Sequence, residues 1–381
     1  MKLGAALTLI GFGVGIATFA VTQGCGGDSD NGGNGPEQTG KIPPPEEGAP
    51  TSATDERTFA VDSIMLGEAD RAGVKNANAW KSYGYNLDGR ITNVTGATSP
   101  DLGRVCKRAQ GAPATVHQDG DEGTDNTFGK EILKLLDPFT PTPSKTLTDA
   151  IRAGDFTIML KVKGLTDEPE QTNTGLAGTL LVGGAFSADG SQTPTFTTAD
   201  DWPFIQDPQV AINGAYINKG TFVNGKGGAQ VKLSLSISGQ SLNLTINKAI
   251  ISFKHNPAGK ALEEGTIAGV INAEEFVNGI SGVAGRFSTD LCSGSTVEGI
   301  KNSIRQASDM LADGTQDPEK NCDGISVGLG FTAKQVGNPT RAVQPEVPQD
   351  DPCNPTDNPN EDAGTDAGTD AGDNDAGDGG Q

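Results

Sequence analysis

Several stretches of this chain alternate apolar and polar residues with the period of two that marks a strand with one wet face. Phe156, Ile158, Leu160 and Val162 alternate with Thr157, Met159, Lys161 and Lys163. Val231, Leu233, Leu235 and Ile237 alternate with Lys232, Ser234 and Ser236; Leu242, Leu244 and Ile246 follow after Ser238-Gly239-Gln240-Ser241. These two runs predict a hairpin. Ile325, Val327, Leu329 and Phe331 give a further strand, and 177–186, 209–223, 248–254 and 265–271 give weaker ones.

Helical patterns are fewer. Ser295-Thr296-Val297-Glu298 has the spacing of a capping box. It opens a segment that presents Val297, Ile300, Ile304, Ala307 and Leu311 on one face, with Gly314 beyond it as a stop. Asn126 is placed to cap a helix carrying Phe128, Ile132 and Leu136 and closed by Pro138. Short helices are also expected near 147–153 and 273–281. Strands outnumber helices and no regular strand–helix alternation occurs, which argues against a doubly wound fold. The pattern predicts a mostly β domain (all-β or α+β), built as an antiparallel two-sheet sandwich with a few short packed helices. It spans 57–341, with 57–125 as its least regular section.

Composition changes the picture at the two ends. Residues 342–381 hold eleven acidic residues and no Lys or Arg, and 26–56 hold seven acids and one Lys. The interval 57–341 has 31 acids and 26 bases, so most of the formal charge of -21 belongs to the ends. No clustered Lys/Arg patch is present to bind phosphates, and nucleic acid is not an expected partner. From Glu361 the chain repeats Asp-Ala-Gly-Thr units that offer no apolar face to bury, so 342–381 is expected to be a disordered acidic tail. Residues 26–56, rich in Gly, Pro, Asp and Ser, read as a disordered tether.

The N-terminus adds an address. Met1 and Lys2 precede an uncharged stretch, Leu3–Val21, and then Thr22-Gln23-Gly24-Cys25. A positive start, an apolar run and a small residue before the break describe an export signal. The segment resembles a bacterial lipoprotein signal. Gly24 and Cys25 match it, while Thr22 stands where Leu is usual. The resemblance implies acylation of Cys25, attachment to a membrane through that lipid, and, with Gly26 following, the outer membrane of the cell envelope. An uncleaved anchor is the alternative, since Leu3–Val21 is nearly long enough to span a bilayer, although Gly4, Gly11, Gly13 and Gly15 weaken it. Simple secretion is the other.

With Cys25 set aside, Cys106, Cys292, Cys322 and Cys353 remain, an even number that in an exported chain suggests two disulfides. Cys292–Cys322 together with Cys106–Cys353 is the preferred pairing. Zinc is disfavoured, because no Cys-x-x-Cys occurs and the chain has only 2 His.

Candidate chemistry is sparse. His117 and His255 lie outside any Gly-x-Ser-x-Gly elbow. Gly220 to Lys226 matches most of a phosphate-binding loop, but Gly227 replaces the Ser or Thr that binds magnesium, and a glycine-rich hairpin loop is expected instead. The segment from His117 to Gly129 is the most suggestive. Asp119, Asp121, Asp125 and Asn126 place several oxygens close together and make a structural calcium the expected ligand if this turn binds anything, with Tyr85-Asn86-Leu87-Asp88-Gly89 as a second donor turn. The plainer reading is that they are turn and cap residues. Trp80, Tyr83 and Tyr85 either stack on a sugar or close the edge of a core, and the latter is expected.

Tyr83–Gly89, Thr124–Gly129, Cys322–Phe331, the signal and the Asp-Ala-Gly tail together resemble a set of uncharacterised bacterial surface lipoproteins with a β-rich domain and an acidic tail. The resemblance supports the address and carries no activity. The expectation is therefore a lipid-anchored, non-enzymatic binding or structural module with an extracellular glycan or protein as partner. A secreted-side hydrolase and a calcium-dependent glycan-binding domain are the alternatives.

Overall fold

The structure is a computed structural model that describes residues 42–51, 54–93, 103–138, 140–206, 209–225, 228–237, 240–287 and 292–344. Cys25, Cys353 and nearly all of the acidic tail lie outside them.

The chain enters the sheet through β1 (Glu56–Met65). It passes α1 (Leu133–Leu136) and α2 (Pro143–Ala153), then continues through β2 (Thr157–Lys163), β3 (Asn173–Gly183), the short β4 (Phe204–Ile205) and β5 (Val210–Asn218). β6 (Thr221–Val223), β7 (Ala229–Ile237), the long β8 (Gln240–Asn256) and β9 (Ala261–Asn272) follow. Helices α3 (Ala273–Phe287) and α4 (Ser295–Gln306) precede β10 (Gly324–Val336) and β11 (Ala342–Val343).

The predicted sandwich is not formed. β3 pairs with β2 on one side and β5 on the other, and β1 pairs with β10, so the sheet runs β3-β2-β1-β10-β9-β8-β6-β5 and returns to β3. The result is a closed eight-stranded antiparallel barrel. β7 adds to β8, and β4 and β11 extend one side as outer strands. Closure requires strands to bend and coil. Register shifts interrupt pairing at Val61/Ser63, Leu176/Gly178, Asn247/Ile250, Ser252/Lys254 and Phe331/Ala333, where that bending is absorbed.

The interior is filled. Phe59, Val61, Leu160, Val162, Leu180, Ile251, Phe253, Val327 and Leu329 belong to one continuous buried cluster. Phe222 and Phe253 stack with centroids 4.5 Å apart. Helix α2 packs against β1 and also touches β7, the strand added to β8. Its Leu147 and Ile151 join the barrel core, as do Phe276 and Ile280 of α3. A smaller cluster outside the wall packs Ala60, Met159, Leu181 and Val336 around Trp202. Apolar side chains point inward and the outer wall carries lysine, threonine and asparagine, the inverse of a lipid-facing barrel. Among the described residues no helix is long and apolar enough to cross a membrane.

Two local expectations change. Helix α4 starts at Ser295 itself, with Gly294 as the flanking residue and no side-chain cap, so the capping box is not made. Part of the expected tether is docked: the Tyr216 hydroxyl donates to the Pro43 carbonyl (2.8 Å), the Asn218 amide to Pro44 (2.8 Å), and Thr51 bridges Thr174.

Candidate functional site

The acidic turn singled out in the sequence folds onto the outer face of β10. That face alternates Gly324, Ser326, Gly328 and Gly330 against the inward Ile325, Val327, Leu329 and Phe331. The glycines let other segments lie flat on the wall. A Cβ on Gly330 would stand 2.4 Å from the Tyr83 ring, and one on Gly328 would stand 2.3 Å from the Tyr83 carbonyl. Tyr83, Trp80 and Tyr85 are all buried here, so they close a core rather than offer a sugar platform.

Asp119 and Asp125 meet Asp88, from the second acidic turn, and Asp309, which sequence reasoning did not single out. These four carboxyls act on one another electrostatically. Asp125 accepts the Leu87 N–H (2.7 Å), Asp88 accepts the Arg90 N–H (2.8 Å), and Asp309 accepts both the N–H and the hydroxyl of Ser326 (2.8 and 2.6 Å). Burial pushes Asp125 well above the usual carboxylate range and also raises Asp309 and Asp88. Asp119 is pushed up to about 8, by burial first and then by Asp88 and Asp309. Lys130 gives its three ammonium protons to the carbonyls of Thr115, Val116 and Gln118 (2.9, 2.8 and 2.7 Å), and burial lowers its pKa.

The expected calcium ligands divide: Asp119 and Asp125 join the carboxyl cluster, while Asp121 and Asn126 do not. Asp121 is exposed. Asn126 spends its amide on the carbonyls of Trp80, Tyr83 and Gly328 and its oxygen on the N–H groups of Gly129 and Gly328. It therefore stitches the loop to β10 and has nothing left for an ion. Among the described residues no three His, Cys, Asp or Glu side chains are arranged to hold a metal.

The disulfide is Cys106–Cys322, which replaces both expected pairs. The backbone explains it: Lys107 bridges Asn321 in parallel, and the Cys322 N–H donates to the Lys107 carbonyl (2.9 Å), so Cys106 runs beside Cys322. Cys292 is disulfide-bonded as well. His117 lies against this bridge, its Nε2 3.9 Å from the Cys322 sulfur and its Nδ1 donating to the Asp309 carbonyl (3.0 Å). Desolvation pushes its pKa down to about 4. His255 is inside the barrel, edge-on to Phe59, with neither ring nitrogen hydrogen-bonded, and burial again lowers its pKa to about 4. The two histidines sit in separate surroundings, and among the described residues no nucleophile, base and orienting carboxylate are hydrogen-bonded in series around either.

The accessible feature is elsewhere. A groove of about 320 Å³ crosses the outer wall over β2, β3 and β5. Its floor is Ala177, Gly178 and Ala211, and Phe204 and Pro339 form one side. Lys161 and Lys163 enter from the polar face of β2 and flank Glu56, at 2.8 and 3.6 Å. The Lys161 hydrogen bond outweighs burial and holds the Glu56 carboxyl below its ordinary range. Thr179 and Asn213 line the groove with side chains that have no partner among the described residues. The lysines were visible in the sequence as polar strand positions. Nothing local marked them as a site, because the groove is assembled from five strands and two loops. Neither a protein-family model, nor a curated protein, nor a solved structure matches the chain.

Proposed function

We propose that this chain is a lipid-anchored envelope protein whose barrel is a non-enzymatic binding module, taking its ligand in the groove over β2, β3 and β5. The groove itself carries the reading. It is an accessible place where charged, hydrogen-bonding and apolar groups of described residues converge on one concavity, the pattern of a small-ligand site. Asp119 is half-buried, but four other groups with perturbed acidities are sealed: Asp125, His117, His255 and Asp309 are 3, 4, 3 and 5 % exposed. A reacting substrate needs contact with its acid or base, and these offer none.

The buried Cys106–Cys322 bridge supports an oxidising compartment. The address rests on Cys25 and its lipoprotein-like surroundings. Because the chain is docked from Pro43 onward, the stretch between lipid and barrel is shorter than the whole of 26–56.

An array of extracellular saccharides and proteins probed with the full chain tests the proposal. Hits that disappear with Lys161→Gln/Lys163→Gln support it, and silence, or hits indifferent to both lysines, would overturn it. Mass spectrometry of the mature N-terminus tests the address: a diacylglyceryl-modified Cys25 is expected, and an unmodified chain beginning at Met1 contradicts it.

A further inference from the structure

We infer that the groove binds a sugar acid: one or two rings bearing a single carboxylate. The inference rests on the groove being the recognition surface. Its size sets the first limit, because about 320 Å³ is at the small end of ligand sites and admits a compact molecule rather than a long chain. Charge sets the second. Two ammonium groups face one carboxylate, so the groove is net positive on a protein whose formal charge is -21. An anion is repelled by most of this surface and attracted here.

The two lysines are not equivalent. Lys161 is hydrogen-bonded to Glu56 at 2.8 Å and half-shielded. Lys163 stands off at 3.6 Å and is mostly exposed, so its ammonium protons are free to turn to a ligand carboxylate while Lys161 keeps Glu56 neutralised. Thr179 and Asn213 supply a hydroxyl and an amide that no described residue engages, matched to ring hydroxyls. Phe204, at the edge, offers an apolar face for ring C–H groups. The assignment follows from a carboxylate partner, polar partners and a flat apolar wall within one small concavity.

The test is titration of the full chain with D-glucuronate and, as its uncharged counterpart, D-glucose, followed by amide shifts. Glucuronate should bind saturably, with shifts on β2, β3 and β5. Glucose and the Lys163→Gln variant should each bind about fivefold more weakly, the worth of one exposed ion pair, and added salt should weaken glucuronate alone. Thr179→Val should weaken both sugars. Equal affinity for glucose, or indifference to Lys163→Gln, overturns the anionic assignment and leaves the groove reading standing. Sugar-dependent shifts confined to other faces overturn both. A carbodiimide cross-link from Lys163 to a carboxylate in 345–381 that glucuronate does not displace would assign the groove to the chain's own C-terminal segment and overturn the proposal as well.

Discussion

Asp119→Asn should change how stability depends on pH, in a direction that the buried cluster dictates. Folded, Asp119 keeps its proton up to about pH 8; unfolded, it releases it in the ordinary carboxylate range. Between those limits the folded chain binds the extra proton, so stability falls as pH rises. His117 and His255 act in the opposite sense. Their folded pKa values are pushed down to about 4, so the unfolded chain binds more protons between there and the ordinary histidine value, and stability rises with pH across that window. Above about pH 6.5 the histidines become progressively neutral in both states, and because Asp119→Asn keeps both of them, their contribution cancels between parent and variant. Asp125 and Asp309 add to the same fall, while the lowered Lys130 opposes it in a more alkaline range. For Asp119 alone the slope approaches roughly 1 kcal/mol per pH unit, or up to about 2 kcal/mol between pH 6.5 and 8. Asparagine reproduces the neutral acid, can still accept the Thr92 N–H, and removes the titration. Urea unfolding followed by circular dichroism across that interval should show the parent losing stability faster than the variant. Parallel curves, or a variant that loses stability faster than the parent, would refute the reasoning.

Three further outcomes follow from the same contacts. Cys106→Ser/Cys322→Ser opens a loop with a sequence separation of 216; chain entropy puts the loss at up to about 5 kcal/mol, measured by the urea midpoint. Gly330→Ala drives a methyl into the Tyr83 ring and should cost about 1–3 kcal/mol, while Gly103→Ala, which meets nothing within 4 Å, should be silent in the same melt. Asn126→Ala strands buried backbone groups on three segments and should cost roughly 3 kcal/mol or more; millimolar calcium should leave the melting temperature of parent and variant unchanged.

The elements that could be read from the sequence are those with one wet or glycine-lined face. In β2 and β10 the alternation of inward and outward side chains survives, and Val231 of β7 pairs with Ile246 of β8 as the hairpin reading required. β1 was hidden. Thr58, Phe59, Ala60 and Val61 are all buried, because Trp202 and its neighbours cover the outside while the barrel fills the inside. The bulge at Val61/Ser63 then shifts the parity, so that Ile64 and Leu66 face inward after Phe59 and Val61. Closure was illegible for a different reason. Alternation reports which side of a strand is buried, not which strands are neighbours, and the barrel is closed by pairs such as Thr58 with Val336. The Asp-rich turn was recognised as a place where carboxyls gather, and Asp88 does join it. Local spacing could not show that Asp309, held by Ser326 of β10, would join them, or that Asp125 would be buried among them. The groove has no local signature at all, since Glu56, Lys163, Thr179 and Asn213 are brought together only by the ring.

Recognition on the outer wall is the central claim, and amide-shift mapping of the full chain with an array-positive saccharide tests it most directly. The account predicts shifts concentrated at Lys161, Lys163, Thr179, Asn213 and Phe204 and lost in Lys161→Gln/Lys163→Gln. Shifts centred on the segments around Tyr83 and Asp119, with those five residues unmoved, would contradict it.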